Sequence, residues 1–182
     1  AKVFDEEGFY CLGDALKFAR DKDPNGGFIF DGRISEDFKL VTGTWVSVGP
    51  LRGKLISGLA PFIKDAVIAG HDRDDVMALL FPELDACRAL LGEGGKGASD
   101  EAVLSSPALR EEVGKRLSQL ARESTGSSTR VARAMFLVEP ASIDANEITD
   151  KGSINQRAVL TRRAALVESL YAATPPAAAI CA

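Results

Sequence analysis

Apolar residues recur every three or four positions in four segments of the chain, and this spacing predicts four helices. The first begins at residues 49–50, and Pro61 leaves its end undecided. The second spans residues 83–91, the third begins at Ser106-Pro107 with a capping hydroxyl, and the fourth covers residues 157–171. Their apolar stripes are Leu51, Leu55, Leu59 and Phe62; Leu84, Cys87 and Leu91; Leu109, Val113, Leu117 and Leu120; and Val159, Ala164, Leu166, Val167 and Leu170.

Short apolar runs bounded by Gly, Pro and charged turns predict strands. Residues 8–19 and 26–33 flank a turn and indicate a first hairpin, and the runs around Thr42-Gly43-Thr44 indicate a second. Further strands are predicted at 65–71, 76–82 and 132–140, and polar loops at 92–100 and 141–156. From residue 38 the order is ββαββααβα, which predicts a compact α+β domain, a small sheet covered by helices.

A lone β-hairpin is marginally stable in water, so the first hairpin is expected to belong to a larger body. The sequence therefore divides into a β-rich segment that belongs to a larger body and a small domain that follows it. The predicted parts are residues 1–33 for the β-rich remnant, 34–37 for the segment that links them, 38–173 for the small domain and 174–182 for a tail without evident structure.

Composition excludes several classes of function. The net charge of −4 argues against a nucleic-acid partner, and 46% hydrophobic residues argue against disorder. No apolar run approaches the roughly 20 residues that span a bilayer, and residues 1–10 lack the pattern of a secretion signal. Cys11, Cys87 and Cys181 have no metal-ligand spacing and suggest no disulfide framework, which favours a cytoplasmic protein without a metal site.

The stretch Gly8-Phe-Tyr-Cys-Leu-Gly-Asp14 contains the first candidate binding residue, Asp14. It resembles the G-(aromatic)-x-x-T-G-D motif of the adenylate-forming superfamily, which includes acyl-CoA synthetases, luciferases and peptide-synthetase adenylation domains. Leu12 takes the place of the usual Thr. The resemblance implies that Asp14 binds the ribose hydroxyls of ATP, since a carboxylate can accept two such hydrogen bonds. The alternative is an ordinary Gly-Asp turn.

The stretch from Asp31 to Lys39 resembles the G-R-x-D-D-x-x-K hinge of the same superfamily. The resemblance implies that Arg33 contacts the nucleotide and that a following residue is the pivot between the two domains. Ser35 interrupts the pattern, so the pivot is Ser35, Glu36 or Asp37, and counting back from Gly43 favours Glu36. The alternative is an exposed charged turn.

The stretch Val41 to Val48 resembles the hairpin that follows this hinge. In CoA ligases that hairpin helps to form the channel for the pantetheine arm of CoA in the second half-reaction. The resemblance implies this role for Gly43, Thr44 and Trp45. Equally, a lone Trp in a hairpin can be a half-buried packing residue.

The stretch from Glu147 to Arg157 resembles the L-T-x-(T/S)-x-K-x-x-x-x-R loop near the C-terminus of the superfamily. The resemblance implies that Lys151 reaches the carboxylate and the α-phosphate during adenylation, where a compact charge stabilises the departing pyrophosphate. Gly152 would allow close backbone approach. A Lys in a polar loop is otherwise usually solvated.

These four stretches occur in the order of the superfamily, and the resemblance extends from Asp5 to about Tyr171. Residues 43–52, 67–74, 125–134 and 148–160 look like feruloyl-CoA synthases in particular. The resemblance implies an acid–CoA ligase that uses ATP, CoA and Mg²⁺ on ferulate or a related aromatic carboxylate. These would be bound mainly by the N-terminal domain of the same protein, and the fragment alone would be inactive. Two alternatives remain: a stand-alone binding module built on the small domain, and an adenylation domain that delivers to a carrier protein.

Overall fold

The computed structural model describes residues 3–182, which form eight strands and six α-helices. The strands are β1 (Asp14–Phe18), β2 (Phe28–Arg33), β3 (Phe38–Lys39), β4 (Trp45–Val46), β5 (Ile63–Ala69), β6 (Val76–Pro82), β7 (Val131–Phe136) and β8 (Ile180–Cys181). The helices are α1 (Val48–Leu59), α2 (Leu84–Leu91), α3 (Asp100–Ser105), α4 (Pro107–Arg122), α5 (Gln156–Arg162) and α6 (Ala164–Tyr171).

A four-stranded sheet in the order β5-β6-β7-β8 forms the centre of the chain. β5 and β8 run antiparallel to their neighbours, whereas β6 and β7 are parallel and are joined by the helical segment α2–α4. Every residue of β6 is buried, as expected for a strand covered on both faces. The predicted α+β class, a small sheet covered by helices, is confirmed.

Alternation along β6 divides the core into two layers, because successive side chains of a strand point to opposite faces. Val76, Ala78 and Leu80 pack with α1, α2, α3 and α4 in the larger layer. Met77, Leu79 and Phe81 pack with α5 and α6 in the smaller one. The loops at the ends of the strands are thereby attached to two well-packed core layers.

The prediction of one continuous helix at 157–171 is wrong, because two shorter helices occupy this segment. Arg163 leaves the helical conformation with φ −102° and ψ 25°, and the segment becomes α5 and α6. The side chain of Arg163 is buried and binds Glu147 together with the carbonyl groups of Glu139 and Pro140. These distant partners override the local helical pattern.

The predicted unstructured tail is also wrong, because β8 pairs with β7. Arg110 on α4 donates to the carbonyl groups of residues 177–179 and fixes the tail against the helix. Two smaller differences lie elsewhere. The predicted 92–100 loop contains a 3-10 turn at Gly92–Gly95 and leads directly into α3, and Ser106 precedes α4 without a side-chain capping bond.

The first hairpin, β1–β2, forms as predicted but buries little of its apolar surface. Large apolar side chains in the hairpin and beside it are exposed, among them Leu12, Leu16, Phe28, Phe30 and Ile34. Large exposed apolar patches are typical of interaction sites. Within residues 3–182 the longest helix, α4, has 16 residues, and none is long and apolar enough to cross a bilayer.

Candidate functional site

Asp14 and Arg33 are brought together by the first hairpin. They are direct partners in the antiparallel register, Asp14 at the start of β1 and Arg33 at the end of β2. Side chains at directly opposed positions point to the same face, with Cβ atoms about 5 Å apart. Both residues are exposed, so an acceptor for hydroxyl groups and a donor for phosphate groups lie side by side on one open surface.

The predicted hinge is a tight turn. The amide of Glu36 donates to the carbonyl oxygen of Arg33 at 2.9 Å, and the Glu36 carboxylate lies 3.8 Å from the Arg33 guanidinium. Asp37 has a different environment, because its Oδ1 accepts the amide of Val48, the first residue of α1, at 2.9 Å. Asp37 is thereby tied to the small domain, whereas Ser35 and Glu36 lie within the turn.

Gly32 and Gly49 meet immediately beside this hinge. A Cβ atom on Gly49 would lie 2.6 Å from the Cα of Gly32 and 3.1 Å from the carbonyl oxygen of Asp31. Gly32 itself has φ +109°, a conformation that favours glycine. β2 and the start of α1 therefore touch backbone to backbone, and the sequence analysis did not single out either glycine for this contact.

The tryptophan hairpin, residues 38–46, carries its ring at an exposed position. Trp45 is 61% exposed, and the ammonium group of Lys39 lies 5.0 Å from its ring centroid. Gly43 has φ +80° at the tip, and the amide of Leu40 donates to Thr44 to close the turn. A solvated ring beside a cation leaves Trp45 available for a ligand, and its half-buried packing alternative finds no support in this exposure.

Lys151 lies at the tip of a second small hairpin, the lysine hairpin, residues 147–155. The amide of Gly152 donates to the carbonyl oxygen of Thr149 at 2.8 Å, and Gly152 has φ +78°. Below the turn, Thr149 and Ser153 bond through backbone and hydroxyl groups, and a bridge joins Ile148 to Ile154. The exposed Lys151 is presented on a short, hydrogen-bonded stem.

The base of the lysine hairpin contains an ion cluster of Glu147, Arg162, Arg163 and Glu139, in which Glu147 and Arg163 are buried. Glu147 is fully buried, and its carboxylate accepts from Arg163 Nε at 2.8 Å and Nη2 at 2.9 Å, and from Arg162 Nη1 at 3.0 Å. The hydrogen bonds from Arg163 lower the pKa of Glu147 to about 2, which keeps it ionised. The sequence analysis missed this cluster, since nothing in a polar loop marks one glutamate as buried.

A cleft of about 360 Å³ lies between two of the four recognised stretches. Arg33 and Glu36 line it from the end of β2 and the hinge, and Ser153 and Ile154 line it from the lysine hairpin. Its walls also include α1, where Arg52 forms a two-point ion pair with Asp65 at 2.7 and 2.6 Å. None of the described residues that line this cleft belongs to the tryptophan hairpin or to the stretch from Gly8 to Asp14.

Comparison with known proteins gives the family. The model of the AMP-binding enzyme C-terminal domain matches residues 36–175. Carboxylic acid reductase of Segniliparus rugosus is 28% identical over 174 residues, which are 94% of this chain and 13% of that protein. The chain therefore spans about an eighth of the length of this curated relative.

Two solved structures share the fold. The A domain of the Segniliparus rugosus carboxylic acid reductase, in complex with AMP and a co-purified carboxylic acid, has a TM-score of 0.68 at 23% identity and aligns with 93% of this chain and 24% of that chain. An anthranilate CoA ligase in complex with anthranoyl-AMP has a TM-score of 0.53 at 20% identity and aligns with 88% of this chain and 25% of that chain. The chain belongs to the AMP-binding enzyme C-terminal domain family, the C-terminal domain of adenylate-forming enzymes.

Proposed function

We propose that this chain is the lid of an ATP-dependent enzyme that activates a carboxylate as its acyl-adenylate. The observation that carries the proposal is the cleft in which Arg33 and Glu36 face the stem of the lysine hairpin. Arg33 and the stem that carries Lys151 border one space, which supports a shared role for them at the nucleotide. Residues 1–33 belong to the large domain, 34–37 are the hinge and 38–173 are the body of the lid.

The chain's residues take separate roles in the first half-reaction. Asp14 accepts hydrogen bonds from the ribose hydroxyls, and Arg33 binds the nucleotide from the same face of the first hairpin. A carboxylate oxygen of the substrate attacks the α-phosphorus, and pyrophosphate leaves with its bonding electrons. Lys151 stabilises the negative charge that grows during this displacement, through its compact ammonium group.

In the second half-reaction the thiol of CoA attacks the acyl carbon, AMP leaves and a thioester forms. Rotation at the hinge removes the lysine hairpin and brings the tryptophan hairpin to the channel for the pantetheine arm. We place the pivot at Glu36, since Asp37 caps α1 and would move with the lid. Support for separate roles comes from the positions of the two hairpins, of which only one borders the cleft.

The exposed apolar surface of the first hairpin supports a large domain as its partner. It also disfavours the stand-alone binding module, which would leave Leu16, Phe28 and Phe30 in water. Among residues 3–182, no group of three or more His, Cys, Asp or Glu side chains is placed to hold a metal ion.

Ferulate, or a related aromatic carboxylate, is the proposed acyl substrate, and CoA the proposed acceptor. The anthranilate CoA ligase shares the fold and is described with an aromatic acyl-AMP. A second candidate is an enzyme that passes the activated acyl group to a carrier protein or reduces it. The 28% identity to a carboxylic acid reductase favours that candidate.

The experiment uses the full-length enzyme that carries this chain, with ATP, Mg²⁺ and ferulate, benzoate or a fatty acid. We expect pyrophosphate release that is fastest with the aromatic acids, and thioester formation when CoA is added. Pyrophosphate release without any thioester would select the second candidate. The 182-residue chain alone is expected to release no pyrophosphate, and release by it would contradict the role of lid.

A further inference from the structure

The lysine hairpin is held at both ends of its stem. At one end, the backbone of Glu147 donates to Ser142 and accepts from the amide of Asn155. At the other, Gln156 is buried and accepts the amide of Ile68 in β5 at 3.0 Å. Residues 148–154 are therefore the only part of the hairpin that extends from the body of the lid.

Glu147 and Arg163 complete this attachment with an ion pair that water does not reach. Four donors converge on the Glu147 carboxylate, from Arg163 Nε and Nη2, Arg162 Nη1 and the amide of Ser142. The guanidinium group of Arg163 also donates to the carbonyl groups of Glu139 and Pro140 at 2.9 Å. All the charges in the cluster are compensated, and the planar fork fixes the direction of each group.

An apolar pair of similar volume could fill such a buried site at comparable stability. What an ion pair adds is geometry, because two parallel hydrogen bonds hold the carboxylate in one plane and at one distance. Lys151 lies only four positions along the chain from Glu147, in a hairpin closed by backbone hydrogen bonds. The geometry of the ion pair therefore affects the position of Lys151. A reaction that needs the ammonium group at one place would depend on it, since a misplacement of about 1 Å can reduce a rate about 100-fold.

We propose that Glu147 and Arg163 are positioning residues for Lys151. Their buried pair fixes the stem of the lysine hairpin and thereby the place at which the lid presents the ammonium group. This inference rests on the proposed function of Lys151 in adenylation. Neither residue touches the reactants.

The first test is independent of activity and uses the 182-residue chain. Trypsin cuts after Lys151 and after Lys96, both of which precede glycine and are exposed, so one site is a control for the other. In Glu147→Gln, native-state cleavage after Lys151 should rise at least about tenfold relative to cleavage after Lys96. Glu111→Gln, the same change at an exposed residue paired with Lys115 on α4, should leave the ratio unchanged.

The second test measures the first half-reaction in the full-length enzyme. Glu147→Gln and Arg163→Lys should lower kcat for adenylation about 10- to 100-fold and change KM for ATP less than about threefold. Val113→Ala, a buried change on α4 in the other core layer, tests for a general loss of stability. It should lower the unfolding midpoint without lowering kcat at a temperature where the enzyme stays folded.

An unchanged cleavage ratio in Glu147→Gln would overturn the inference. So would equal kcat losses in Val113→Ala and Glu147→Gln. Lys151→Ala distinguishes an error in the positioning role from an error in the proposed function of Lys151. If Lys151→Ala abolishes adenylation and Glu147→Gln leaves it intact, the positioning role alone is wrong. If Lys151→Ala itself leaves adenylation intact, the proposed function of Lys151 is wrong.

Discussion

The lysine hairpin and the tryptophan hairpin have similar tips and different bases. Each turns at a glycine in the left-handed region, Gly152 at φ +78° and Gly43 at φ +80°, and each exposes the side chain for which a role is proposed, Lys151 or Trp45. The lysine hairpin is based on a buried ion pair, whereas the tryptophan hairpin is based on apolar side chains, Leu40 at 1% and Val46 at 0% exposure. One lid thus fixes two exposed groups by two different forces.

The largest effect should come from breaking the charged base on one side only. Arg163→Ala leaves Glu147 buried with part of its charge uncompensated and should lower the free energy of unfolding by about 3–5 kcal/mol. Urea denaturation of the 182-residue chain measures this. Arg162→Ala, at the half-exposed member of the cluster, is the matched control and should lower the free energy of unfolding far less, because solvent screens its ion pairs.

The two bases should differ in their response to acid. The pKa of Glu147 is lowered from 4.5 to about 2, so its stabilising effect is complete above pH 4.5 and is lost as the pH falls towards 2. The stability difference between wild type and Glu147→Gln should therefore narrow over that window. Leu40→Ala, which removes apolar contacts worth about 2–5 kcal/mol, should show a difference independent of pH. A stability difference between wild type and Glu147→Gln that is the same at every pH would show that the charge of Glu147 does not contribute to stability.

The first hairpin extends the comparison, because its base is neither charged nor apolar but a contact between two backbones. Gly49→Ala would place a Cβ 2.6 Å from Gly32 and should destabilise the docking of β1–β2 by about 1–3 kcal/mol. Amide hydrogen exchange should then quicken in β1–β2 and not in β5–β7. Gly53→Ala is the control, since no atom lies within 4 Å of its added Cβ. Equal exchange in the two variants would argue against the contact.

The sequence predicts features that depend on neighbouring residues. The first hairpin, the tryptophan hairpin, the Pro107 start of α4 and the apolar strands β5 and β6 follow from turn residues and periodicity, and all are present. The lysine hairpin was not predicted, because its segment has the composition of a polar loop. Features made by distant pairs were missed. β8 exists because Cys181 pairs with Arg133, and Arg163 divides a helix because it binds Glu147. The pattern of neighbouring residues in the sequence does not reveal such distant partners.

The site divides in the same way. Turn chemistry indicated the tip at Gly43 but not the turn at Gly152, and the resemblance supplied roles for Asp14, Arg33, Trp45 and Lys151 that remain proposals. The buried state of Glu147 and the approach of Gly32 to Gly49 required the folded chain. Glu147 and the contact between Gly32 and Gly49 support the predicted site residues, and neither was itself predicted as part of the site.

The central claim is that the two hairpins serve different half-reactions. It is tested most directly by measuring both steps separately in full-length Lys151→Ala and Trp45→Ala. Lys151→Ala should slow acyl-adenylate formation by about 10²–10³-fold and leave transfer from supplied acyl-adenylate to CoA nearly unchanged. Trp45→Ala should show the reverse pattern. Equal losses in both steps for either variant, or an unaffected first step in Lys151→Ala, would contradict the account.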